Sequence, residues 1–462
     1  MRKGWVIRMV KKRLLTGVLA AALAVGFLSG CGDTKPTDSN PGGGDSSATG
    51  VGFSEKQYDM GAKTIKLADS YWIGGETATA ERNECAKALE AIEKDYNCKI
   101  EVFAPNTSSI NKDITANVAA GKVYANIINL QHEFSEVFRS GNIADVSTIK
   151  NLGLNSNRWL SVGTDFNTVN RVQYGVAFLE RQCQTINWNV LTYNKTLAES
   201  YGIEDLYQLV RDKKWTFDKF AEICQTVNAK SNGAVKGMIN GYPCFGFFLS
   251  ANDVDYVVQK DGRYTYNGLS DKLLNALQFC QNFNKNGLLD MADFVGDDYG
   301  LKESNVFMDR KVFFHLSDFW VVSEVFSSGM PDDYGVLPLP MGPDAQDYIG
   351  LATNCKSFCF IKGDPDIEDA AAVLVAMANR TGITQEEWVK QQVENSLRDD
   401  ESGEMLSLML QNPVTTVYTD QLGSDWGTLL RTCIYDMSLT PRQAMEQAQQ
   451  GAQSSIDEFF GQ

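Results

Sequence analysis

Ile65 and Leu67 flank Lys66 in the period-two alternation of a short strand. Cys85, Leu89, Ile92 and Tyr96 then recur at the spacing of one helix face, and Cys98, Ile100 and Val102 alternate again. A strand, a helix and a strand within about forty residues make a βαβ unit, which commits the chain to layered α/β architecture. The loop Asp69-Ser70-Tyr71-Trp72-Ile73-Gly74-Gly75 separates the first strand from the helix.

The same patterns continue. Ala125 to Leu130, Tyr174 to Phe178 and Ile186 to Tyr193 read as buried strands. Helices are expected over Phe217 to Val227, over Asp271 to Asn286 with Gly287 closing it, and over Asp366 to Asn379. Thr440, Pro441 and Gln443 supply an N-cap, a first-turn proline and a capping-box partner for a final helix. No repeat of 20 to 50 residues is visible.

At 462 residues with 43% hydrophobic and 11% aromatic content, the chain can bury a large core and is long enough for two or three domains. Its 42 basic residues are outnumbered by 58 acidic ones, a net charge of −16, so the clustered positive charge of a nucleic-acid-binding protein is absent. Only two histidines are present, His132 and His315, which excludes a His-rich metal site. Ten cysteines show no C-x-x-C spacing, and Cys355 and Cys359, four apart in an apolar run, read as packing residues. His132-Glu133 opens like a zinc-protease helix, but Val137 stands where the second histidine is needed. Neither a nucleophile elbow nor a phosphate loop occurs. Asp290, Asp293, Asp297 and Asp298 form either a solvated acidic loop or a calcium site without EF-hand spacing. The chain is expected to need no metal and no cofactor.

Residues 1–30 set the compartment. Arg2, Lys3, Arg8, Lys11, Lys12 and Arg13 precede an apolar run from Leu14 to Leu28, too short for a membrane span and right for a signal peptide; Met1 and Met9 each give a complete charged segment. The run closes on Leu28-Ser29-Gly30-Cys31, which resembles the bacterial lipobox, where cleavage leaves a cysteine that carries lipid. Lipidation at Cys31 would hold the protein to the outer face of the cell membrane. Gly, Ser, Asp, Thr and Pro dominate residues 31–55, the composition of a flexible tether. The acidic body above it is repelled by anionic lipid, so the membrane is an anchor and not a substrate.

Several local phrases resemble the solute-binding lipoproteins of sugar ABC importers, the group that includes maltose-binding proteins. Tyr193-Asn194-Lys195-Thr196-Leu197, Tyr201-Gly202-Ile203 and Trp215-Thr216-Phe217-Asp218-Lys219-Phe220 are similar to one run of that family. Gly121 to Val146 resembles a second, with Ala125 and Asn126 replacing its usual proline and aspartate. Asn305 to Trp320 is similar to a third, with Asp309-Arg310-Lys311 where a Gly-Lys usually stands, and Tyr334 to Pro340 matches a fourth closely. The likeness covers nearly all of Lys56 to Gln462. It implies a bilobal α/β fold of the periplasmic-binding-protein type, with a hinge and a ligand cleft between the lobes. The first lobe would hold residues 56–177 plus 350–381, and the second 178–349 plus 382–462. Crossings are expected near Gly175 to Phe178, near Ile349 to Ala352 and after Thr381. The implied partners are a carbohydrate, an oligosaccharide in particular, and the permease subunits of an ABC transporter; the chain itself is expected to be a monomer and to catalyse nothing.

A sugar presents an apolar C–H face and a rim of hydroxyls, so its site needs aromatic plates and polar side chains that bond in pairs. Trp320 sits where the family places a stacking tryptophan, after the apolar run Val312 to Leu316 and an expected loop Ser317-Asp318-Phe319. Asp318 reads as a hydroxyl acceptor or a helix N-cap; Trp72 and Glu76 read as a second plate and acceptor, or as loop anchors. Gln131, His132 and Glu133 follow the strand ending at Leu130, and Glu180, Arg181 and Gln182 follow the expected hinge strand. Tyr242 and Phe245 align with a loop that contributes an aromatic, whereas His315 reads as a satisfied core histidine. Two other classes remain open: a surface enzyme with two carboxylates flanking a glycosidic bond, and a sensory or adhesion module uncoupled from import.

Overall fold

The computed structural model describes residues 58–69, 80–130, 134–180, 186–240, 246–290, 301–415 and 426–462. Among the described residues fourteen strands run in chain order: β1 Lys63–Ala68, β2 Cys98–Phe103, β3 Ile127–Leu130, β4 Thr168–Val169, β5 Val172–Gln173, β6 Ile186–Asn194, β7 Lys236–Asn240, β8 Val257–Lys260, β9 Arg263–Tyr266, β10 Val312–Asp318, β11 Tyr334–Leu337, β12 Gly350–Cys355, β13 Ser357–Cys359 and β14 Pro413–Thr415. They form a four-stranded sheet ordered β13-β3-β1-β2, a larger sheet ordered β14-β12-β6-β10-β7 in which β11 also pairs with β6, and two hairpins, β4–β5 and β8–β9.

The βαβ unit forms as expected. β1 pairs parallel with β2 along its whole length, Ile65 opposite Ile100, and helix Ala80–Tyr96 makes the crossover. The remaining expected helices are present as Phe217–Lys230, Asp271–Lys285 and Ile367–Thr381. Gly287 stands at φ +69°, a left-handed conformation that glycine adopts without the Cβ penalty, just past the second of these. Thr440 accepts from the Gln443 amide while Gln443 Oε1 accepts from the Thr440 amide, the reciprocal cap that starts helix Pro441–Phe460.

Each sheet is covered by apolar helix faces. Ile65, Leu67, Leu89, Ile92 and the alanine-rich face of Ile367–Thr381 close over the smaller sheet. The larger sheet has a core on either side: Leu191, Tyr193, Phe220, Phe283 and Phe314 on one, Trp188, Val190, Val336, Phe319 and Met409 on the other. β6 therefore separates two cores, which is why all but one of its nine residues are buried.

Three expectations are corrected. Tyr174 to Phe178 is extended but not a strand: only Val176 bridges to Phe358, because β13 is three residues long and its other edge is taken by β3. Ser317-Asp318-Phe319 is not a loop; β10 runs through Asp318 and a helical segment starts at Phe319. Gly350–Cys355 pairs with β6 and β14 in the larger sheet, so the change of sheet expected near Ile349 to Ala352 occurs instead at Lys356, where β12 runs into β13.

Candidate functional site

Strand direction brings two sheet edges together. In the larger sheet β7 and β10 are parallel, β12 and β14 are parallel, and β6 runs against both β10 and β12. The carboxyl ends of β7, β10, β12 and β14 therefore share an edge with the start of β6. In the smaller sheet β1, β2 and β3 are parallel, and Ser357, the first residue of β13, lies opposite Leu130, the last of β3. One residue, Lys356, separates β12 from β13, so the carboxyl edges of the two sheets adjoin. Ligands of open α/β sheets bind beyond such edges.

Each edge carries an aspartate held by an asparagine from the adjacent strand. On the larger sheet Asn189, buried on β6, donates its Nδ2 to Asp318 Oδ1 at 3.0 Å, across the register that sets the two residues opposite each other. On the smaller sheet Asn129, on β3, donates its Nδ2 to Asp69 Oδ2 at 3.2 Å, while the Asp69 amide donates to Phe103 O at 2.9 Å. Asp69 is fully buried and Asp318 half-buried, so Asp69 braces the edge whereas Asp318 faces outward in part.

Asp318 is the last residue of β10 and its carboxylate receives the Asn189 amide, so it is placed as an acceptor. Two residues on, Trp320 is half-buried and lies against the core beneath it, while Phe319 between them is fully buried, its ring 5.4 Å from that of Trp388. Trp320 is therefore partly exposed, two residues past the end of β10. Glu180 is buried and bridges to Gly382, where Ile383 N donates to Leu179 O at 3.0 Å; it belongs to a second passage between the sheets. Trp72, Glu76, Gln131, His132, Glu133, Arg181, Gln182, Tyr242 and Phe245 lie outside the described residues. Three of those segments follow strand ends: β1 ends at Ala68, β3 at Leu130 and β7 at Asn240.

Sequence reasoning missed Asp69, Asn129, Asn189 and Lys356. The signal was an amide inside an otherwise apolar strand, as in Ile127-Ile128-Asn129-Leu130, which needs a polar partner once buried. His315 is a core residue as expected, 1% exposed between the rings of Phe307 and Phe326, and burial pushes its pKa down to about 3. It is not satisfied as expected: neither ring nitrogen has a hydrogen-bond partner in the protein. Cys355 and Cys359 are buried thiols that pack, and burial pushes Cys355 up to about 12. Among the described residues no three His, Cys, Asp or Glu side chains gather as a metal site, and no helix is long and apolar enough to cross a membrane.

The family model for bacterial extracellular solute-binding proteins matches residues 87–394. The chain belongs to that family. Among solved structures it is similar to the cyclic alpha-maltosyl-1,6-maltose binding protein of Arthrobacter globiformis, at 13% identity and a TM-score of 0.65 over 86% of this chain and 100% of that one. The GacH receptor of Streptomyces glaucescens gives 13% identity and 0.60 over 87% and 99%, and maltose-bound MalE3 of T. maritima gives 17% and 0.57 over the same shares. At these identities the likeness shows the fold, which is the bilobal solute-binding fold of maltose-binding proteins. Comparison with curated proteins returns no match. As a member of an extracellular family, this solute-binding protein works outside the cytoplasm.

Proposed function

We propose that this solute-binding protein captures a carbohydrate, an oligosaccharide in particular, by closing its two lobes over the adjoining strand edges, and hands it to an ABC permease. The observation that carries the reading is the half-exposed Trp320 two residues beyond an Asp318 oriented by Asn189. An acceptor for the hydroxyl rim then stands at the end of β10, and a plate for the C–H face two residues on, in the helical segment that follows. The solved relatives named above include receptors for maltose and for a cyclic maltosyl sugar, which supports the ligand class. The lobes divide at Lys356 and near Glu180 and Gly382, and the ligand draws them together about those passages. Lipid on Cys31 and the tether behind it keep the receptor within reach of the permease at the outer membrane face.

A ligand that binds only the native state raises the melting temperature. A thermal-shift screen over neutral mono- and oligosaccharides is expected to yield at least one hit, which calorimetry then shows to bind one to one without conversion to product. No shift with any saccharide refutes the ligand class, and product formation refutes the receptor role.

A further inference from the structure

Beneath helix Leu301–Met308, on the face of the larger sheet away from Phe220 and Phe283, lies a band of buried polar groups that ligand capture does not use. Thr192, Trp188, His315, Ser317 and Glu303 are each at most 6% exposed. Thr192 Oγ1, Trp188 Nε1, both ring nitrogens of His315, Ser317 Oγ and Glu303 Oε2 have no hydrogen-bond partner in the protein.

The strand register gathers them. β6 and β10 set His315 opposite Thr192 and Ser317 opposite Val190, so Trp188, Thr192, His315 and Ser317 share one face, directly or diagonally adjacent. Helix Leu301–Met308 returns into β10 through a turn of three residues with Arg310 at φ +61°, so it runs back along the strand. The Phe307 ring lies 5.7 Å from that of His315. One helical turn earlier is about 6 Å along the axis and two strand residues onward is about 6.6 Å, which sets Glu303 over Ser317. The Phe326 ring, 5.2 Å from His315, closes the other side, on a π-helical turn, Val321–Phe326.

Six polar atoms left dry on one face would cost an amount comparable with the whole stability of a domain. Glu303, Thr192 and Ser317 offer acceptors, Trp188 a donor, and neutral imidazole one of each, the mixed set that water satisfies and a metal ion does not. We propose that this face is an internal hydration site: ordered water molecules bridge His315 to Thr192 and Glu303 to Ser317 between the aromatic walls of Phe307 and Phe326. The seam runs inward from Ser317, the neighbour of Asp318, so solvent enters it from the ligand-facing strand edge. This site stands apart from the sugar reading and does not rest on it.

The test is a crystal structure of the full mature chain at a resolution that resolves solvent, together with melting curves of Thr192→Val and Ser317→Ala. Solvent peaks about 2.7 to 3.2 Å from a His315 nitrogen and from Thr192 Oγ1 are expected, and the near-isosteric Thr192→Val should melt several degrees lower because its water loses a partner. A direct His315 to Glu303 bond, or no solvent peak within reach of these atoms, overturns the proposal. So does an unchanged or higher melting temperature for Thr192→Val, since removing an unpaired hydroxyl from a dry face stabilises.

Discussion

Replacing Trp320 by alanine separates ligand contact from fold. The side chain is half-buried, packed in part against the core. A stacked sugar contributes about 0.5 to 1.5 kcal/mol through ring geometry. Covering about 60 Å² of the exposed ring adds about 1.5 kcal/mol at ~25 cal/mol per Å². The sum, about 2 to 3 kcal/mol, predicts a roughly 30- to 150-fold rise in Kd. Loss of the inner packing lowers stability by about 1 to 2 kcal/mol, a melting shift of only a few degrees in a body this size. The assay is isothermal titration calorimetry with the best saccharide of the screen, with thermal unfolding followed by circular dichroism on the same samples. Trp320→Phe should recover most of the lost affinity. A Kd for Trp320→Ala within twofold of the parent, in a variant that still melts cooperatively, removes Trp320 from the site and with it the plate-and-acceptor argument.

Asp318→Ala should weaken binding by about 1.5 to 3 kcal/mol, the worth of hydrogen bonds to a charged acceptor, and cost some stability because the Asn189 amide loses its carboxylate; unchanged affinity would show that Asp318 serves only Asn189. Phe178, stacked on Phe358 with centroids 5.4 Å apart where the chain passes between the sheets, should lose about 3 to 5 kcal/mol of stability as alanine. A smaller loss in chemical denaturation means the passage repacks. Burial raises the Asp255 carboxyl to about 6, although its neighbours' amides oppose this. The native state then holds a proton that the unfolded chain has released, so stability falls as pH rises from the ordinary carboxylate value to about 6, by up to about 3 kcal/mol in all. Asp255→Asn should flatten that slope in urea titrations between pH 4 and 6.5; parallel curves for the two proteins contradict it.

Local physics was legible in the sequence. The βαβ unit, the helices at Phe217, Asp271 and Ile367 and the Thr440 to Gln443 cap depend on spacing and on side chains within a few residues, and the ordered run of short phrases from Tyr193 to Pro340 was enough for the family. Contacts between distant strands were not. Whether Tyr174 to Phe178 becomes a strand depends on how much edge a three-residue partner near Phe358 leaves free. The passage at Lys356 depends on β12 finding β6 and β14.

The division has a physical reason. Periodicity and capping are written into neighbouring residues, so the sequence determined the βαβ unit, the capped helices and the apolar faces that need cover. Asp318 is oriented by an asparagine 129 positions away and Asp69 by one 60 positions away. His315 reads as an ordinary core histidine until the register shows that Thr192 and two phenylalanine rings surround it. Such pairings arise only when packing selects one register among many, and so the tertiary structure alone decided which polar groups stand at the carboxyl edges of the sheets and which are sealed inside.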